Sequence, residues 1–163
     1  MWEKLCYATL SAASLVAIVV LVHREIAPQP AVSRSESAHA LVGKPVRLSN
    51  VRLSSRNAIL AISTRCHFCG ESMPFYRGLA SIRTNPAHPF KLIVIAPQDA
   101  VAVREYLAAN GVQVDEIAPE SPSQIKIAGT PTVLISDEKG IVRAAFSGKL
   151  DSSGQEAVIK SLQ

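Results

Sequence analysis

A four-residue apolar run, Ile59-Leu60-Ala61-Ile62, is followed four positions later by Cys66-His67-Phe68-Cys69 and then by a segment of helical periodicity. This junction constrains the fold more than anything else in the chain. A short, continuously apolar run is how a strand covered on both faces reads. Beyond it Phe75, Leu79 and Ile82 fall at i, i+4 and i+7, with Met73, Tyr76 and Ala80 on the adjoining stripe. The spacing predicts a helix that starts at the second cysteine, carries a broad apolar face and is kinked or reset at Pro74. A buried strand that delivers Cys-X-X-Cys onto the first turn of a helix is a thiol-redox arrangement. Unpaired N–H groups and the partial positive charge at a helix N-terminus favour the thiolate, and the thiolate is the nucleophile.

The flanking sequence supplies the rest of an α/β domain. Val46, Leu48, Val51 and Leu53 suggest two short strands or a hairpin around Ser49-Asn50. Residues 90–95 are the next buried strand. Asp99 caps a helix whose Val103, Tyr106 and Leu107 share a face, and Asn110-Gly111 stops it. Val112 and Val114 alternate as a short strand, and residues 118–126 form a loop with one helical turn. Residues 132–136 and 141–146 read as a hairpin turning at Asp137-Glu138-Lys139-Gly140. Val158, Ile159 and Leu162 mark a last helix. The order β, β, β, α, β, α, β, β, β, α predicts a central mixed sheet with helices on both sides.

The chain has 163 residues, room for one domain with a core plus an appendage. That appendage is N-terminal: residues 5–22 (LCYATLSAASLVAIVVLV) hold no charge, and 18 residues is the lower limit for a membrane-spanning helix. A cleavable signal peptide is the competing reading. The good small-X-small site, Ala38-His39-Ala40, lies too far from the run, Pro28 and Pro30 spoil nearer ones, and Cys6 opens the run rather than ending it as a lipobox would. Residues 1–22 are therefore expected to be a retained membrane anchor, residues 23–40 a flexible tether, and residues 41–163 the folded domain. The positive-inside balance of Lys4 against Arg24 and Arg34 hardly discriminates. The expectation is a single-pass protein with its N-terminus inside, because a short tail need not be translocated and a dithiol domain has more use outside.

The net charge of +4 is spread along the chain with no basic block, which argues for a solvated basic surface and against nucleic acid as a partner. Three cysteines are too few for a disulfide scaffold; two are in the motif and Cys6 is in the apolar run. A Cys-X-X-Cys closes too small a loop to act as a structural staple. Cys66, ahead of the helix, is the expected nucleophile and Cys69 the covered, resolving thiol. A protonated His67 beside the thiolate would lower its pKa and make the couple more oxidising; the plain alternative is a solvated residue on an exposed loop. Phe68 offers an apolar contact to a partner or shields the sulfurs, and Arg65 is a second candidate for favouring the thiolate. The rival reading of a different class is a copper metallochaperone in which His67 or His88 joins the two cysteines. No second Cys-X-X-Cys completes a zinc site, and Gly70 in place of histidine disfavours haem attachment. The working expectation is no metal and no cofactor.

With its dithiol opening the first helix and Gly129-Thr130-Pro131-Thr132 preceding the strand Val133-Leu134-Ile135, the chain from residue 41 onward resembles the thioredoxin fold. Within it, Pro74 at the fifth position after Cys69 and the segment Asp137-Glu138-Lys139-Gly140-Ile141-Val142 resemble the membrane-anchored TlpA, ResA and cytochrome-c-maturation thioredoxins. The resemblance implies a cis proline at Pro131 packed against the dithiol, with the Thr130 hydroxyl within reach of a sulfur. It also implies a thiol–disulfide oxidoreductase in the bacterial inner membrane facing the periplasm. Such a protein acts on exported cysteine-containing proteins, apocytochromes among them, and is recharged by a membrane thiol electron donor. Four departures stand out. Arg65 replaces a common tryptophan, Leu60 replaces the buried acid of thioredoxins proper, and His67-Phe68 has no proline. Ser72 stands where relatives often carry a glutamate; Glu71 is one residue short and points about 100° away on a helix. The local positive field favours an oxidant and the anchored relatives favour a reductant; the balance falls on reductant.

Overall fold

The computed structural model describes residues 38–163. The expected anchor at residues 1–22 and most of the expected tether lie outside them. Among the described residues no helix is long and apolar enough to cross a membrane. Ala38 and Leu41 are already buried in the core, so packing begins inside the stretch read as tether.

Five strands form one sheet: β1 (Arg56–Ala61), β2 (Lys91–Ile95), β3 (Glu116–Ile117), β4 (Thr132–Asp137) and β5 (Val142–Ser147), in the order β3-β2-β1-β4-β5. β1 pairs parallel with β2, and β2 with β3, while β4 runs antiparallel to both β1 and β5. The central position of β1 accounts for its uninterrupted apolar run: Ala58, Ile59, Leu60 and Ala61 are all fully buried. Among the described residues four complete α-helices accompany the sheet: α1 (His67–Glu71), α2 (Met73–Ile82), α3 (Ala100–Ala109) and α4 (Ser152–Ser161).

α1 and α2 are the kinked helix read from the sequence. Pro74 has no N–H to give to the Gly70 carbonyl, and the chain resets at Ser72, whose hydroxyl donates to the Phe68 carbonyl (2.7 Å). Met73, Tyr76, Leu79 and Ala80 are buried along the inner face, but Ile82, the last residue of α2, is exposed. Asp99 caps α3, accepting from the N–H groups of Val101 and Ala102 (both 3.0 Å). α3 closes on Gly111 (φ +68°), with Gly111 N–H bonded to Ala108 O and Val112 N–H to Leu107 O (both 2.9 Å). That closure is why the strand expected at Val112 and Val114 begins only at Glu116: Val112 is held by the end of the helix.

Two expectations need correction. The segment around Ser49-Asn50 does turn, with Asn50 at φ +59°, but it makes no hairpin. Gly43 N–H bonds the Val142 carbonyl (2.8 Å), Val142 N–H the Lys44 carbonyl (3.0 Å) and Val46 N–H the Gly140 carbonyl (2.8 Å) around a bridge from Pro45 to Ile141, so residues 43–46 pair with the start of β5 and residues 47–53 form no strand. The helices are also shared unevenly between the two faces among the described residues, the second face holding the helical end at Ala38-His39 and a 3-10 helix. The buried residues of α1 to α4 all join one cluster with Ala58, Leu60, Leu92, Val94, Val133 and Ile135. Both parallel crossovers, β1 to β2 and β2 to β3, step the same way along the sheet, and right-handed connections then put their helices on one side. The opposite cluster, built on Ile59, Ala61, Ile93, Ile95 and Leu134, is covered by Ala38, Leu41, Val46 and the segment after β3. There Pro119 and Pro122 lack amide donors and the chain manages only the 3-10 helix Pro122–Ile125.

Candidate active site

β1 ends at Ala61, directly opposite Thr132 of β4, so the loop entering α1 and the loop entering β4 meet at one end of the sheet. Cys66 is the N-cap of α1 with extended backbone (φ −89°, ψ 116°), and its carbonyl accepts from the N–H groups of Cys69 (3.1 Å) and Gly70 (3.2 Å). This turn leaves Cys66 partly exposed and Cys69 fully buried; both are free thiols. The Thr130-Pro131 peptide is cis, as the resemblance implies, and Pro131 is buried beside the dithiol. Cys66 Sγ lies 3.4 Å from the Thr130 carbonyl oxygen, which accepts from the thiol. Gly148 N–H donates to the Pro131 carbonyl (2.8 Å), anchoring this loop to the segment after β5.

The two thiols are driven apart electrostatically. Partial burial pushes the Cys66 thiol up, but hydrogen bonds from the Thr130 side chain, the Cys69 thiol and the N–H groups of Cys69 and Phe68 more than offset it, so its pKa falls below the ordinary 9.0. Cys69 is pushed up to about 12, chiefly by burial and further by the neighbouring Cys66. Cys66 is thus the accessible thiol that ionises first, and Cys69 stays protonated until Cys66 is consumed.

The proposed modifiers are distributed unevenly. Thr130 meets the dithiol through its backbone carbonyl, and its side chain is among the groups that lower the Cys66 thiol. Phe68 is 47 % exposed beside Cys66, an apolar surface for a partner, and its ring meets His67 edge-on at 5.7 Å. His67 is turned to solvent, its side chain 80 % exposed and its Nε2 3.5 Å from Glu71 Oε1. Arg65 is exposed. Neither is among the groups that lower the Cys66 thiol. His88 is far from the sulfurs, 3.3 Å from Arg56 at the opposite end of β1, so it cannot join a cysteine metal site. Among the described residues no cluster of three or more His, Cys, Asp or Glu side chains is placed to hold a metal.

Three neighbours were not singled out as site residues. Tyr76 of α2 is buried against the dithiol, and its phenol is pushed up by burial and by the charge of Cys69. Tyr106 of α3 is shifted the same way by burial and by both sulfurs, and its hydroxyl crosses Gly70 at 3.7 Å from where a side chain would begin. Tyr76 lies seven residues after Cys69, a helical repeat that was legible; Tyr106 comes from another element and carried no local signal. Glu71 links α1 to the loop after β5 through Lys149 Nζ (3.2 Å).

No family model matches the chain, nor does any curated protein sequence. Solved structures do match. A candidate thiol:disulfide interchange protein, DsbE, from Chlorobium tepidum is 17 % identical with a TM-score of 0.55, covering 68 % of this chain and 79 % of its own. StoA from Bacillus subtilis is 16 % identical with a TM-score of 0.54, covering 68 % and 84 %. A thiol-disulfide isomerase from Corynebacterium glutamicum is 17 % identical with a TM-score of 0.53, covering 74 % and 88 %. At such identities the likeness is one of fold, and the fold is that of thioredoxin.

Proposed function

We propose that the chain is a thiol–disulfide oxidoreductase that reduces disulfides in selected proteins. The observation that carries this reading is the contrast within one Cys-X-X-Cys: an accessible Cys66 whose thiol is lowered, against a buried Cys69 raised to about 12. The Cys66 thiolate attacks one sulfur of a target disulfide; a Cys66–target bond forms, and the second target sulfur leaves and takes up a proton. Cys69 loses its proton and attacks Cys66 Sγ, which releases the first target sulfur and leaves a Cys66–Cys69 disulfide. Two electrons and two protons have passed to the target. The backbone before cis-Pro131, next to exposed Phe68, offers an extended edge on which a target peptide lies while its disulfide meets Cys66.

The wider setting is inferred from the sequence. Residues 1–22 anchor the chain in a bacterial inner membrane, the dithiol domain works in the periplasm, exported cysteine proteins such as apocytochromes are its clients, and a membrane thiol donor recharges it. The solved structures of thiol:disulfide interchange proteins support the chemistry, and the uncharged 18-residue apolar run supports the anchor. A Cys69→Ala variant should accumulate mixed disulfides through Cys66. If the wild-type chain neither reduces nor oxidises a peptide disulfide–dithiol pair, the enzymatic reading fails. Protease added to intact spheroplasts should remove the domain; a protected domain would place the chemistry in the cytosol instead.

A further inference from the structure

The face of the sheet opposite α1 to α4 carries a cleft of about 340 Å³ between residues 41–47 and the 3-10 helix, at Leu41, Val46 and Ile125. Lys44, Arg47 and Lys126 line it, all three exposed, and none pairs with a carboxylate among the described residues. Val42, 43 % exposed, is one of four large apolar side chains left open among the described residues and lies in the same segment. Three cations around an apolar floor, with an apolar side chain beside it, match the two halves of a phospholipid: an anionic headgroup and the first carbons of its chains. The described residues begin at Ala38, which packs in the same cluster as Leu41, and the uncharged run of residues 5–22 lies upstream in the chain.

We propose that this cleft docks the domain on an anionic phospholipid surface, with Lys44, Arg47 and Lys126 on the phosphates and Val42 entering the interface. Lys44, Pro45 and Val46 run beside the β4–β5 turn, at the end of the sheet remote from the dithiol. A domain docked this way holds Cys66 away from the bilayer, towards clients in solution. The inference does not depend on the redox reading, because none of these residues touches the sulfurs.

The compact unit Ser33–Gln163 contains both core clusters and serves as the test protein. It should partition onto vesicles containing phosphatidylglycerol and scarcely onto pure phosphatidylcholine, and added salt should weaken it. Each basic side chain at an anionic surface is worth roughly five-fold in partitioning. Combined Lys44→Gln, Arg47→Gln and Lys126→Gln should therefore cut binding about 100-fold, and Val42→Gln should weaken it with the charge intact. Arg77→Gln, Arg104→Gln and Lys160→Gln, on the helical face, remove the same charge and should leave most of the binding in place. Equal binding to neutral vesicles, equal loss in the control triple, or undiminished binding of the cleft triple overturns the proposal. Thiol turnover of the cleft triple should match wild type, which separates failure here from failure of the redox reading.

Discussion

The separation between the two thiols can be measured directly by alkylating the reduced protein. Cys66 lies below 9.0 and Cys69 at about 12, so at neutral pH the thiolate population favours Cys66 by at least about 1,000-fold. Rate does not follow population alone, because a less basic thiolate is a weaker nucleophile. With a Brønsted slope near 0.45, about 20-fold of the advantage is returned, leaving roughly 50-fold from electrostatics. Burial widens the gap, since Cys69 has no exposed surface. Iodoacetamide titrated against the unit Ser33–Gln163, which lacks Cys6, with peptide mapping by mass spectrometry, should therefore label Cys66 more than 50 times faster than Cys69. The Cys66→Ser variant should label only in denaturant. The rate profile of Cys66 should inflect below pH 9. Labelling of the two cysteines within five-fold of each other, or a Cys66 inflection at or above 9.0, would refute both the burial argument and the hydrogen-bond argument.

Because the Cys69 pKa is raised on folding, its contribution to stability is fully present below the unfolded value near 9 and is lost as pH rises through about 12. Urea midpoints of the reduced protein should fall across that window, by at most about 1.4 kcal/mol per pH unit, and Cys69→Ala should remove this component of the loss. Thr130→Val keeps the branched shape and deletes the hydroxyl that favours the Cys66 thiolate; thiolate absorbance should show a higher Cys66 pKa, with alkylation at neutral pH slowed about three- to ten-fold. His67→Ala should move that pKa far less than Thr130→Val, and the reverse order would restore the imidazole to a controlling role. At Gly140 (φ +76°) an added Cβ runs into the Val46 carbonyl, so Gly140→Ala should cost more than about 1 kcal/mol in thermal or urea unfolding.

What was legible in the sequence follows from how local each signal is. The buried strand at residues 59–62, the reset at Pro74, the Asp99 cap and the turn at Asp137-Gly140 are set by periodicity, by missing amide donors and by side chains bonding their own backbone. Such effects act within a few residues and survive in any fold. Which cysteine is accessible and which is buried was equally local, because it depends on which precedes the first turn and which lies within it. Supposed hairpin strands at residues 46–53 failed because alternation gives a face but not a partner: residues 43–46 pair with the start of β5 and residues 47–53 form no strand.

The rest required the tertiary structure. The helix amides that lower the Cys66 thiol were legible beside it, but nothing near Cys66 announces the share of Thr130, which is 64 residues away and meets it only because β1 and β4 pair with Ala61 opposite Thr132. His67 stands next to the nucleophile in the chain, yet it points to solvent and Glu71, because adjacent positions on a helix face different ways. Tyr106 reaches the dithiol from α3 through the space that Gly70 leaves open. The gathering of α1 to α4 on one face depends on the direction in which successive crossovers step along the sheet. By itself the sequence determined the position of the dithiol and the class of fold. Only the packed chain decided the electrostatic neighbours of each sulfur, because a Coulomb or hydrogen-bond interaction depends on distance in space and not on separation along the chain.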